Sequence, residues 1–169
     1  MVSQAASSIS VSRTIKSRVN DQDVNNVPFG RIFTDHMFIT DFCNGKWNNA
    51  RIEPYREIPM SYALSALHYG QAIFEGMKAY KNDKGEVSVF RPHDNFNRLN
   101  ISAHRMAMPE ITEELFFGAL NQLLCLDAAW VPTSETGSLY IRPFMISTDR
   151  SEEHTSELQS PMYLVCRLL

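Results

Sequence analysis

Three cysteines in 169 residues, Cys43, Cys125 and Cys166, are too few and too scattered for a disulfide framework. No Cys-x-x-Cys pair or histidine spacing suits zinc, so no metal is expected and a reducing compartment is the natural setting. Seven Gly and eight Pro leave no collagen-like or low-complexity tract. No apolar run approaches the ~18 residues of a membrane span. No early apolar block resembles a secretory signal, and a soluble chain is expected. Neither sign of charge dominates, with 16 Lys plus Arg against 19 Asp plus Glu. The net charge of -3, without a basic stripe, argues against a nucleic-acid partner. What is present is a globular composition, 44% hydrophobic and 21% charged.

Residues 1–20 are Ser-rich, carry Arg13, Lys16 and Arg18, and have no acidic residue before Asp21. A mitochondrial presequence has this composition, and so does a polar leader before a first strand; the leader, with a cytoplasmic location, is the expectation. From residue 29 the pattern becomes ordered. Residues 32–42 read as a strand, Asn44-Gly45 as a tight turn and residues 50–55 as the returning strand. Residues 77–81 and 87–90 flank a second turn containing Gly85. Between the hairpins, residues 65–76 predict a short helix that Gly76 ends. Pro92 opens a helix to about residue 106. Thr112 caps a longer one, with Phe116, Leu120, Leu123 and Leu124 on a single face. A loop over residues 127–137 leads to a last strand over 138–146. Without regular βαβ alternation, the fold class is α+β.

Strand alternation at residues 138–144 places Tyr140 and Arg142 on one face, with Leu139 and Ile141 on the other. A guanidinium among apolar neighbours requires an anion, either a structural carboxylate or a ligand carboxylate, and composition favours the first. Pro143 suggests an edge strand or one about to leave its sheet. Arg98 has the geometry for phosphate, but Asp94 lies four residues earlier on the same helix face, which suits an ordinary surface pair. Tyr69 and Phe74 could wall a pocket; the core is the simpler place for them. The histidines are too dispersed for a metal site, and none has a Ser or Cys arranged as its nucleophile.

Taken together, FGRIFTDHMF, LHYGQAIFEGMKAY, VFRPHDNFNRLNISAHRMAMPE and SLYIRPFMISTD resemble the branched-chain amino acid aminotransferases, from about Ser17 to Asp149. Any one of these strings alone would be weak; four in order are specific. The resemblance implies a fold type IV pyridoxal-phosphate enzyme. Residues 21–149 would be its small N-terminal domain, a mostly antiparallel sheet with helices, and the C-terminal domain would be absent. It further implies that Arg98 binds the phosphate of pyridoxal 5'-phosphate. Tyr140 and Arg142 would face the substrate, with Arg142 on the distal carboxylate of glutamate or 2-oxoglutarate. Phe29, Tyr69 and Phe74 would line the side-chain pocket.

The implied activity is amino transfer from leucine, isoleucine or valine to 2-oxoglutarate. The match fails at one place: no lysine lies in the family's Schiff-base motif, so the catalytic set is empty and this chain alone is expected to be inactive. Lys78 belongs to the hairpin motif and is not that lysine. Related fold type IV enzymes, a D-amino acid aminotransferase or an aminodeoxychorismate lyase, are the alternatives, as is a non-catalytic short paralogue acting as a partner subunit. The resemblance also implies a homo-oligomer at full length, with amino acids and 2-oxo acids as small-molecule partners.

After Asp149 the pattern changes. Residues 150–160 read RSEEHTSELQS, which resembles a translated short-read sequencing adapter, and residues 150–169 are expected to be a non-native tail without a strand or helix period that fits the sheet.

Overall fold

The computed structural model describes residues 9–133, 137–148 and 162–168, with Leu164 the one side chain described in the last of these. The elements follow in the order β1 (Ser10–Val11), β2 (His36–Cys43), β3 (Lys46–Pro54), α1 (Ser65–Tyr69), β4 (Ala72–Phe74), β5 (Met77–Lys81), β6 (Val87–Val89), α2 (Pro92–Arg105), α3 (Glu113–Leu126), β7 (Leu139–Ser147) and β8 (Met162–Leu168). The strands make one sheet in the order β1-β3-β2-β8-β7-β5-β6, with β4 also beside β7. Every pairing is antiparallel except that of β1 with β3. The α+β expectation holds.

Both hairpins form where the turn residues demand. Asn44 and Gly45 take φ of 53° and 75°, the paired positive values of the turn that matches strand twist. The first strand begins at His36, later than the pattern predicts: the Phe33 and Thr34 carbonyls accept from the Arg18 side chain, and the Asp35 carboxylate accepts from Ser17 and the Arg18 amide. The helix between the hairpins also differs from expectation. It ends at Gly70, in the left-handed region at φ 66°, and Ala72–Phe74 pairs as a strand with Phe144 to Ile146. Gly70, not Gly76, is the stop.

Helices α2 and α3 cover one face of the sheet. Thr112 caps α3 by accepting the Leu115 amide at 3.3 Å. Leu99 and Ala103 of α2 and Phe116, Leu120 and Leu123 of α3 are buried against Phe38, Ile52, Met77, Ala79, Ile141, Met145 and Leu164 of the strands. Each such large side chain, fully buried, contributes roughly 1.5–3 kcal/mol. The other face carries only a small cluster of Met37 and Ile39 with Tyr55, Ile58 and Phe144. In β7 burial alternates along the whole strand, so Leu139, Ile141 and Met145 point to the helices while Tyr140, Arg142 and Phe144 stand on the open face.

Pro143 does not mark an edge. β7 lies between β8 and β5, and its proline falls opposite the bend that separates β4 from β5, where the Pro143 carbonyl accepts the Glu75 amide at 2.9 Å. The missing N–H sits at that break in the ladder, so the sheet loses little.

Residues read as a polar leader are partly structural. Val11 and Ser10 pair with β3, and Ile9 packs on the core. The Thr14 amide donates to His36 Nε2 at 3.0 Å, which leaves the proton on Nδ1 facing Asp127 Oδ1 at 2.7 Å. Burial pushes the Asp127 carboxyl above the ordinary value, and the hydrogen bonds from His36 and Thr34 only partly offset it. Next to it, Asp35 accepts from Ser17 Oγ at 2.6 Å, from the Arg18 amide at 3.1 Å and from Trp130 Nε1 at 3.0 Å.

The tail expectation needs correction in one respect. Residues 150–161 lie outside the described residues, but Met162–Leu168 forms the strand between β2 and β7, pairing with both over six and seven residues. Leu164 is buried in the core beneath the helices, at a position that ladders with Thr40 and Met145.

Candidate functional site

The open face of β7, the β4–β5 bend and the start of α2 converge on one region. Tyr140 and Lys78 are cross-strand partners, and both border two cavities. The first, about 470 Å³, lies toward Phe29, Ile32, Trp130 and Pro132. The second, about 380 Å³, lies toward Gly76, Arg91, Asn95 and Arg98. Tyr140 forms a wall of each. Its phenol is held against the backbone of Gly76, where an added Cβ would come within 2.9 Å of Tyr140 Cζ. Glycine is required there for space, not for dihedral freedom.

Arg142 stands next on the same face. Its guanidinium lies 4.5 Å from the Phe74 ring centroid and 5.0 Å from that of Tyr140, and its Nη2 donates to Tyr140 Oη at 2.8 Å. Its Nε is buried without a hydrogen-bond partner. Among the described residues no carboxylate pairs with it, so the structural ion pair favoured on composition is not formed. A buried, unpartnered N–H is costly, and no carboxylate among the described residues offsets that cost at Arg142. Phe29 packs edge-on against Tyr140 at 5.2 Å.

Arg98 departs from both simple readings. Asp94 pairs with Arg91 instead, and Arg98 reaches across to Glu75, donating from Nε to Oε1 at 3.0 Å and from Nη2 to Oε2 at 2.7 Å. Asn95 donates to the same Oε2 at 2.9 Å and to the Gly76 carbonyl at 3.1 Å. Burial alone would raise the Glu75 carboxyl, but the hydrogen bonds from Arg98 and Asn95, the Arg98 charge and the Gly76 amide together hold it below the ordinary value. The pair also makes Arg98 harder to deprotonate. Glu75 is 8% exposed, whereas the Arg98 side chain is 62% exposed.

Of the residues singled out from sequence, Phe29, Phe74, Tyr140 and Arg142 form one cluster, of which Phe29 and Tyr140 line the first cavity while Phe74 and Arg142 stand beside it, and Arg98 borders the second. Tyr69 stands apart at the end of α1, exposed, with its ring 6.4 Å from His68, and it lines neither cavity. The expectation that Tyr69 and Phe74 are core residues is overturned: both are largely solvent-exposed, because the segment between them turns from helix to strand and lays both rings on the surface. Glu75, Asn95 and Gly76 were not singled out as site residues. The signal for Glu75 was a lone charge inside the apolar run AIFEGM, which in a folded chain needs a buried partner. No group of three or more metal-ligating side chains occurs among the described residues.

The fold is one found in solved branched-chain aminotransferases, of which it makes up part. The branched-chain amino acid aminotransferase of Escherichia coli superposes with a TM-score of 0.55 at 21% identity, covering 80% of this chain and 39% of that one. The branched-chain aminotransferase of the thermophilic archaeon Thermoproteus uzoniensis, solved with norvaline, also gives 0.55, at 20% identity, covering 78% and 40%. These show the fold. Sequence goes further: branched-chain-amino-acid transaminase 1 of Bacillus subtilis is 48% identical over 130 residues, 76% of this chain and 36% of that protein. The chain is thus homologous to the branched-chain amino acid aminotransferases, and it spans about 36% of the length of the curated relatives it matches. No protein-family model matches it.

Proposed function

We propose that this chain supplies the substrate-facing wall and one phosphate contact of a branched-chain amino acid aminotransferase, moving the amino group of leucine, isoleucine or valine to 2-oxoglutarate. The observation that carries this reading is Arg142, whose buried Nε lacks an acceptor while its guanidinium is held between Phe74 and Tyr140. Such an arginine fits a ligand carboxylate at the rim of an apolar pocket. Phe29, Phe74 and Tyr140 would take a branched aliphatic side chain, and Arg142 with Tyr140 Oη would take the distal carboxylate of glutamate in the same space. One pocket then accepts both partners of the exchange.

The residues also fit pyridoxal 5'-phosphate. Arg98 has two of its five N–H donors on Glu75, which leaves three on the edge that faces solvent, enough for a phosphate oxygen pair. When bound, the cofactor supplies an electron sink for the substrate's α-carbon. No lysine of this chain is assigned to move a proton.

The test is amino-donor profiling of the complete enzyme of which this chain forms part, with Arg142→Gln beside it. Activity on leucine, isoleucine and valine, and a KM for 2-oxoglutarate raised at least tenfold by the substitution with that for leucine changed less, is expected. Preference for D-amino acids, or equal effects on both substrates, would overturn the reading.

A further inference from the structure

We propose that Glu75 is a positioning residue for anion binding, holding Arg98 side-on so that the opposite edge of its guanidinium is presented to a phosphate monoester in the 380 Å³ cavity. This rests on the reading of Arg98 as a phosphate ligand. Arg98 projects from the exposed side of α2, and an arginine in that place, unpaired, samples many rotamers. Nothing on its own helix fixes it, since Asp94 is taken by Arg91.

Glu75 is suited to the task because it is itself immobile. Its backbone amide is tied to the Pro143 carbonyl at 2.9 Å, its Oε2 receives Asn95 at 2.9 Å, and the Gly76 amide points to the same oxygen at 3.4 Å. The carboxylate therefore couples the position of a helix side chain to the central strand that carries Tyr140 and Arg142. Arg98 and Arg142 belong to different elements, and Glu75 is the link that sets one relative to the other.

Two effects oppose each other. A carboxylate beside the guanidinium cancels part of the charge that attracts an anion, whereas fixing the fork removes an ordering cost that binding would otherwise bear. Lys78 and Arg91 at the same cavity restore net positive charge against Asp94, so the loss of attraction is small and orientation wins. The two effects predict opposite signs when Glu75 is neutralised, which makes the inference decidable.

The experiment is calorimetric titration of the chain with pyridoxamine 5'-phosphate and, separately, with sulfate, which stays fully ionised until strong acid. As pH falls and Glu75, held below its ordinary value, gains its proton, sulfate affinity of the unaltered protein should fall relative to that of Glu75→Gln, in which Asp94 and the other charges of the cavity are the same. A rise relative to Glu75→Gln would overturn the inference. Glu75→Gln should bind both probes about tenfold more weakly near neutral pH, with the difference from the unaltered chain shrinking as pH falls, and Glu75→Asp should recover part of the loss. Binding by Glu75→Gln as tight as or tighter than the unaltered chain would overturn the positioning role while leaving Arg98 as a ligand, provided Arg98→Ala abolishes binding. If Arg98→Ala binds pyridoxamine 5'-phosphate as well as the unaltered chain, the phosphate reading itself fails and the inference with it.

Discussion

Gly76 and Tyr140 are in contact across the β5–β7 pair, with the phenol occupying the volume that any side chain at position 76 would need. Gly76→Ala should therefore push Tyr140 off its position, break its hydrogen bond with Arg142, and lower stability by about 1–3 kcal/mol. Because the cost comes from one clash, Tyr140→Ala should relieve it. Thermal unfolding of both single variants and the double variant checks this: the double should lose less than the sum of the singles, and an additive result would remove the claimed contact.

Asp127 accepts from both the His36 amide and His36 Nδ1, at 3.0 and 2.7 Å, deep below the N-terminal segment. Asp127→Ala would leave two buried donors unpaired, with an expected cost of about 3 kcal/mol in denaturant unfolding. The same geometry requires that Nε2 carry no proton, since it receives the Thr14 amide. Side-chain ¹⁵N spectra of His36 should show the Nδ1–H tautomer at neutral pH, and the opposite tautomer would contradict the hydrogen-bond pattern.

Asp35 provides a pH test. Burial would raise its carboxyl, but the hydrogen bonds from Ser17, the Arg18 amide, Trp130 and the Arg18 side chain hold it below 3.8, its ordinary value. A carboxyl depressed in the folded state adds stability that is present above the unfolded value and lost as pH falls through the folded one. Acid titration of unfolding free energy should therefore steepen below about pH 4. Asp35→Asn should flatten that part of the curve and make the N-terminal segment cleavable after Arg18, read by limited trypsin digestion.

The strand Met162–Leu168 holds β2 and β7 together, which otherwise share no ladder. Removal of residues 150–169 should leave two long unpaired edges facing each other across a gap, with Phe38 and Met145 losing Leu164 as a neighbour in the core. The shortened chain is expected to associate or precipitate, seen by size-exclusion chromatography, and to lose a cooperative thermal transition. A monomeric, cooperatively unfolding product would show that β2 and β7 can close on each other.

Much of this architecture was legible locally. Hairpin turns at Asn44-Gly45 and Gly85, the Pro92 and Thr112 helix starts and the alternation at Tyr140 and Arg142 all rest on contacts within a few residues. What was missed rests on distant partners. The 65–76 stretch contains a strand because β7 offers a ladder to Ala72–Phe74, and nothing within the stretch announces it. Helix spacing pairs Arg98 with Asp94, but the stronger partner, Glu75, is 23 residues away and buried. Pro143 suggested an edge because a proline costs a sheet hydrogen bond, and only the break between β4 and β5 explains why the cost is absent here.

The placement of β8 sets the timetable of assembly. β2 is made early, yet its partner on one side begins at Met162, more than a hundred residues later, so this ladder cannot form on a nascent chain until that stretch has cleared the ribosome. Hairpins β2–β3 and β5–β6 and helices α2 and α3 can collapse beforehand, but they must do so with the Phe38 side of β2 still uncovered. Such sequence separation makes for slow, late closure. Over that interval the half-built sheet presents the edge of β2 to any other extended segment in its neighbourhood.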